Sequence, residues 1–212
     1  SNSTDRQRLR IRFRKGGELR WIGHRDLARA FERLFRRVNV ALRMSEGFHP
    51  KPKINFPSAL ALGIEGLDEV PDRELTDPVE PEELRRRLEA TAPSGLVISR
   101  VETIESGRPK AQVHRMKYRF PVPDERQLEV EQAIDQLSTH STLPVHRKGR
   151  TEPVDLLKHL ESVTLQNGTL QIHIRATNQA SVRPGDILTV LGLTDLEQQG
   201  HFLTRTEVEL TS

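Results

Sequence analysis

From Arg8 to Arg14 polar and apolar residues alternate without a break. Arg8, Arg10, Arg12 and Arg14 fall on one side, Leu9, Ile11 and Phe13 on the other. A period of two predicts a half-buried strand, here with a row of arginines on its open face. Lys15-Gly16-Gly17 ends it. From His24 the period lengthens: Leu27, Ala30, Phe31, Leu34, Phe35 and Val38 recur at steps of three and four, which predicts an amphipathic helix. Its polar side carries Arg25, Arg29, Arg33, Arg36 and Arg37, and Asp26 lies in the first turn, where a carboxylate suits the positive end of the helix dipole. Ser45-Glu46-Gly47-Phe48-His49-Pro50-Lys51-Pro52 reads as a rigid loop, because each proline fixes its own φ and restricts the residue before it. Further strands are expected over Lys53 to Leu62, over residues 68 to 76 with Pro71 at a bulge or edge, and over Leu96 to Ile104; a second helix is expected over Pro81 to Ala92.

Strand, helix, strand, strand, helix, strand is the order of the split βαβ, or ferredoxin-like, unit. Glu105-Ser106-Gly107-Arg108-Pro109-Lys110 is a polar linker, and beyond it the order returns. Lys117 to Val122 alternates as a strand, and Glu125 to Leu137 packs Val130, Ala133, Ile134 and Leu137 as a helix. Asn167-Gly168 is a strong hairpin signal between two β-rich runs, since both central residues of a type I′ turn need positive φ. Pro184 opens a short helix to about Leu191, and His201 to Leu210 is a last strand. The reading is therefore α+β, two tandem ferredoxin-like domains with antiparallel sheets at residues 6–105 and 111–211. Ser1-Asn2-Ser3 reads in part as the remnant of a cleaved tag.

Composition narrows the function classes. The 212 residues are 34% hydrophobic and 30% charged, and no apolar run is long enough to span a bilayer, so a cytoplasmic protein is expected. The absence of cysteine removes disulfides, thiolate zinc sites, cysteine nucleophiles and cysteine-held iron–sulfur clusters, and no cofactor is expected. The net charge of +3 hides a division. Residues 1 to 60 hold 15 Lys+Arg against 5 Asp+Glu, a balance of +10, which leaves −7 for the remainder. Such clustering points to a polyanion-binding face in the first third, and arginine's planar fork suits phosphate.

The chemistry-bearing residues converge on Gly23-His24-Arg25-Asp26-Leu27-Ala28-Arg29 and Gly47-Phe48-His49-Pro50-Lys51-Pro52-Lys53. An anion site at the helix start with Arg25, Lys51 and Lys53 is one reading. Acid–base catalysis by His24, Asp26 and His49 is another, and a helix-capping His24 with His49 in a surface turn is the plain one. No metal site is expected: His24 and Asp26, two apart on a helix, point about 200° from each other. Trp21 reads as a hydrophobic staple at the helix start. The sequence has no GxGxxG, P-loop, HExxH or GxSxG motif.

With an Arg-rich first strand, the Gly23-to-Arg29 motif, Ser45 to Ile54, Leu60-Ala61-Leu62-Gly63 and Pro93-Ser94-Gly95-Leu96, the chain resembles the bacterial radical SAM-linked protein family, a domain of unknown function encoded beside or fused to a radical SAM protein. The resemblance implies a radical SAM protein as partner, and lack of cysteine means that this chain does not hold that partner's cluster. The expectation is an accessory RNA-binding or substrate-presenting module for tRNA or rRNA modification, with nucleic-acid contacts from Arg8, Arg10, Arg12, Arg14, Arg25, Arg29, Lys51 and Lys53. An RNA-acting enzyme using His24 and Asp26 or His49, and a protein-interaction scaffold, are the alternatives.

Overall fold

The computed structural model describes residues 6–149, 151–177 and 182–211; Ser1-Asn2-Ser3 lie outside them. The chain divides into two compact units, Ser1–Gln112 and Val113–Ser212. Both are mixed α+β with antiparallel sheets.

Unit 1 runs β1 (Gln7–Lys15), a 3-10 turn (Gly17–Trp21), α1 (His24–Arg37), β2 (Ile54–Asn55), β3 (Glu65–Glu69), β4 (Asp72–Leu75), α2 (Pro81–Thr91) and β5 (Leu96–Ile104). β1 is central. It pairs antiparallel with β5 on one side and with β3 and β4 on the other, and β2 lies outside β4. Alternation does what its period requires: Leu9, Ile11 and Phe13 are buried against Leu27, Phe31, Leu34 and Phe35 of α1 and Leu84 and Leu88 of α2. Each such side chain contributes about 1.5–3 kcal/mol of transfer free energy. α2 begins sharply because the Glu80 carboxylate accepts from the N–H groups of Glu82 and Glu83, at 3.1 and 2.7 Å, and Pro81 occupies the first turn, where no N–H is needed.

Two expected strands differ from expectation. Of Lys53 to Leu62 only Ile54–Asn55 is strand, because Pro57 offers no N–H to a ladder and the chain bends at Pro57-Ser58. The strand expected over 68 to 76 is two, β3 and β4, parted at Val70-Pro71, where the Pro71 carbonyl still accepts from the Ile11 N–H at 3.0 Å. The loop after α1 is closed at its neck. Lys53 N–H donates to the Arg43 carbonyl at 2.8 Å, Ser45 N–H to the Lys51 carbonyl at 2.7 Å, and Lys51 N–H to Ser45 Oγ at 3.0 Å. Glu46 to Pro50 are thereby displayed as a tip, with Gly47 at φ 123°.

Unit 2 runs β6 (Val113–Pro121), α3 (Asp124–Ser138), β7 (Pro144–Val145), β8 (Val154–Asp155), α4 (Leu156–His159), β9 (Leu160–Gln166), β10 (Thr169–Arg175), α5 (Pro184–Val190), α6 (Thr194–Gln198) and β11 (Thr204–Leu210). Its main sheet has the order β11-β6-β10-β9, and β7 pairs with β8 apart from it. Asn167 and Gly168 have φ of 49° and 71°, the left-handed pair that the β9–β10 turn requires. α4 and α6 were not expected; four and five residues are too few to display a helical period. Among the described residues no helix is long and apolar enough to cross a membrane.

Candidate functional site

The arginine row of β1 is largely engaged within unit 1. Arg10 grips Asp72 of β4 as a fork, Nε to Oδ1 at 2.9 Å and Nη2 to Oδ2 at 3.1 Å. Arg12 donates through Nη1 to the Asp68 carboxylate and to the Asp68 carbonyl, both at 3.2 Å. Arg8 donates to the carbonyls of Arg108 and Pro109. On β5, Arg100 pairs with Glu102 at 3.6 Å, so this face is a mosaic of both signs, and Arg14 alone of the row is exposed. Arg8, Arg10 and Arg12, read from the sequence as nucleic-acid contacts, have donors occupied by carboxylates and carbonyls distant in sequence.

The cations left over lie on the other side of the fold. α1 presents Leu27, Phe31, Leu34 and Phe35 to the core, which turns Arg25, Arg29, Arg33, Arg36 and Arg37 outward. Arg25, Ala28, Arg29, Glu32, Phe35 and Arg36 of α1 line a groove of about 1360 Å³. Asn39 to Leu42, Met44, Pro50-Lys51-Pro52, Asp77, Val79 and Arg87 complete its lining. Arg87 is held there by donating to the Val38 carbonyl. Arg29 reaches Asp26 only at 3.6 Å with both side chains exposed, a pairing worth little in water. Arg25, Arg36, Lys51 and Lys53 have no ion-pair partner among the described residues. At the tip of the closed loop Phe48 is fully exposed, and Met44, bridged to Pro52 at the neck, is 45% exposed.

His24, Asp26 and His49 are not drawn into one constellation. The His24 ring packs edge-on against Phe56, centroids 4.8 Å apart, with a buried Nδ1 that no protein group meets. Burial, and secondarily the charge of Lys15, lower its pKa below the ordinary 6.5. Asp26 is exposed beside Arg29, and His49 is exposed on the loop tip. No cluster of three metal-ligating side chains occurs among the described residues. Trp21 is not a staple either: it is 56% exposed, with the Arg20 guanidinium 4.9 Å from the ring centre.

The profile of a family described as "Uncharacterized protein conserved in bacteria (DUF2344)" matches residues 8–184, from the first arginine of β1 to the start of α5. The chain belongs to this family. The match connects DUF2344 with no radical SAM protein. No curated protein matches the chain. Among solved structures, a protein of unknown identity from Galdieria sulphuraria is 11% identical, with 98% of this chain and 100% of that one covered and a TM-score of 0.30. A proposed glycine cleavage system transcriptional repressor is 10% identical, with 98% and 99% covered and a TM-score of 0.27. Likeness at that level carries no argument about fold or function.

One residue of this DUF2344 chain was not singled out by sequence reasoning. Arg73 shares the inward phase of β4 with Leu75 and is 1% exposed. Its guanidinium lies 5.1, 5.8 and 5.3 Å from the ring centres of Phe31, Phe35 and Phe56, and Nε, Nη1 and Nη2 all lack a hydrogen-bond acceptor. Burial lowers its pKa to about 9, opposed by the charge of Glu32, and so it remains a cation at neutral pH. The signal was available in Asp72-Arg73-Glu74-Leu75, where strict alternation puts an arginine on the apolar side.

Proposed function

We propose that this DUF2344 protein is an accessory RNA-binding or substrate-presenting module that works with a radical SAM partner in tRNA or rRNA modification, each of its units being ferredoxin-like. The observation that carries the RNA reading is the groove beside α1. Its unpaired Arg25, Arg36 and Lys51 line the groove, and Phe48, three residues before Lys51 in the sequence, is fully exposed at the loop tip. Cations that track a backbone, together with an aromatic side chain on which a base stacks, are the two parts of sequence-tolerant single-strand binding. Arg29 lines the same groove; Lys53, Arg8, Arg10 and Arg12 do not. The strand order β11-β6-β10-β9, and the central place of β1 between β5 and β4, support the ferredoxin-like reading. The choice of partner rests on the resemblance of the Gly23-to-Arg29 and Ser45-to-Ile54 motifs, and the iron–sulfur cluster of such chemistry belongs to the partner.

The test is fluorescence anisotropy with total tRNA and with a short single-stranded RNA across a range of salt. If four groove cations contact phosphates, log K falls against log salt with a slope of about −3 on a single strand. In the Arg36→Ala/Lys51→Ala variant the slope drops to about half of that, and Phe48→Ala weakens binding by roughly tenfold without changing the slope. Absence of binding at low salt, or a slope untouched by the double variant, refutes the RNA reading.

A further inference from the structure

A cation buried without an acceptor is unfavourable unless something else satisfies it. Arg73 meets that description: it is 1% exposed and none of its three nitrogens has a protein acceptor. Three aromatic faces offset part of the cost through cation–π attraction, but they leave the N–H donors unused. Glu32, the carboxylate whose charge acts on it, forms no hydrogen bond with it.

The surroundings supply a second and independent observation. Phe56, on the loop after β2, is the half-buried member of the aromatic trio around Arg73. It also packs against His24, whose Nδ1 is likewise buried and unmet. Unsatisfied nitrogens therefore occur on two side chains that pack against one half-buried phenylalanine. A planar guanidinium with an unused fork matches the spacing of two oxygens on one carbon or one phosphorus.

We propose that Arg73 anchors a small-molecule oxyanion, a phosphate or carboxylate group admitted past Phe56, with His24 as the neighbouring polar contact. The site is separate from the groove and stands or falls apart from the RNA reading, because none of the groove's free cations takes part. The ligand's anionic group takes the Arg73 fork, and the three phenylalanines exclude water from the pair.

Inorganic phosphate and acetate are the probes. Each is titrated into the full chain while the melting temperature and the Nε–H resonance of Arg73 are followed, the latter identified by its loss in Arg73→Lys. At about 100 times the dissociation constant the better probe raises the melting temperature by roughly 5–10 °C and shifts the Arg73 resonance. The preferred probe assigns the ligand class, phosphorylated or carboxylate. Arg73→Met, which keeps the volume and removes the charge, loses the response, whereas Arg36→Ala/Lys51→Ala keeps it. If Arg73→Met does not fold, the wild-type resonance and the reduced response of Arg73→Lys decide. An unmoved Arg73 resonance with both probes, or an equal response in Arg73→Met, overturns the proposal.

Discussion

Replacing Arg10 by alanine separates a structural arginine from a nucleic-acid contact. The Asp72 side chain is 5% exposed and that of Arg10 19%. Both carboxylate oxygens depend on the fork, at 2.9 and 3.1 Å. Removing one partner of a buried pair costs about 3–5 kcal/mol, because the other charge is left unpaired. The vacated Arg10 position admits some water, which places the expected loss near the lower end, about 3 kcal/mol. For a chain of this length that is a fall in melting temperature of roughly 6–12 °C. Urea unfolding followed by circular dichroism measures it. Arg10→Ala/Asp72→Ala is expected to recover at least about 1 kcal/mol relative to the sum of the single variants, since no orphan charge remains. The folded fraction of Arg10→Ala is expected to bind tRNA with the wild-type salt slope. A stability change below about 0.5 kcal/mol, or a salt slope reduced as by the groove variant, would refute this assignment.

Two further outcomes follow from the geometry. Gly95 has φ +89°, and a Cβ there would lie 2.5 Å from the Gly16 carbonyl oxygen, so Gly95→Ala should cost about 2–3 kcal/mol in urea unfolding. Gly107, at φ +85° with open space around it, should cost only about 1 kcal/mol when changed to alanine; equal losses at the two positions would contradict the steric argument. His24 and His159 both have pKa values lowered chiefly by burial, so the unfolded chain binds more protons than the folded one as pH falls. Their contribution is fully present above pH ~6.5 and is lost as pH falls through that value towards the folded pKa. The urea midpoint should therefore decline between pH 7.5 and 5.5, less so in His24→Leu, and a flat profile would count against burial of these rings in their neutral form.

Legibility in the sequence followed the range of the interaction. The alternation of residues 8–14 gave the strand and its buried side, because a period of two needs only neighbours. What became of the arginines was hidden, since Asp72 is 62 residues from Arg10 and Asp68 is 56 from Arg12, and a sum of charges cannot reveal which of them are paired. α1 and its outward cations were readable from a period that spans four turns. The groove was only half readable: Lys51 and Arg25 stood in the motifs, but the closed loop that displays Phe48 depends on bonds between Arg43 and Lys53 and between Ser45 and Lys51. The run from Lys53 to Leu62 misled because apolar residues without alternation mark burial or a bend equally well. Arg73 was passed over because an arginine inside a strand is assigned by default to the wet side, against the phase of Leu75.

The break at Val70-Pro71 gives the paired arginines a meaning beyond charge. Where the ladder opposite β1 is interrupted, hydrogen bonds alone define the alignment of the flanking strands poorly. Arg10 with Asp72 and Arg12 with Asp68 stand on either side of that interruption, one clasp per half-strand. A slide of β4 by two residues would keep every apolar side chain on its own face, so burial alone would not forbid it. It would, however, part Arg10 from Asp72 and carry Arg73 away from its ring of phenylalanines. Charge here works as a keyed alignment: it rejects even-numbered slides that hydrophobic patterning tolerates, next to a break in the strand.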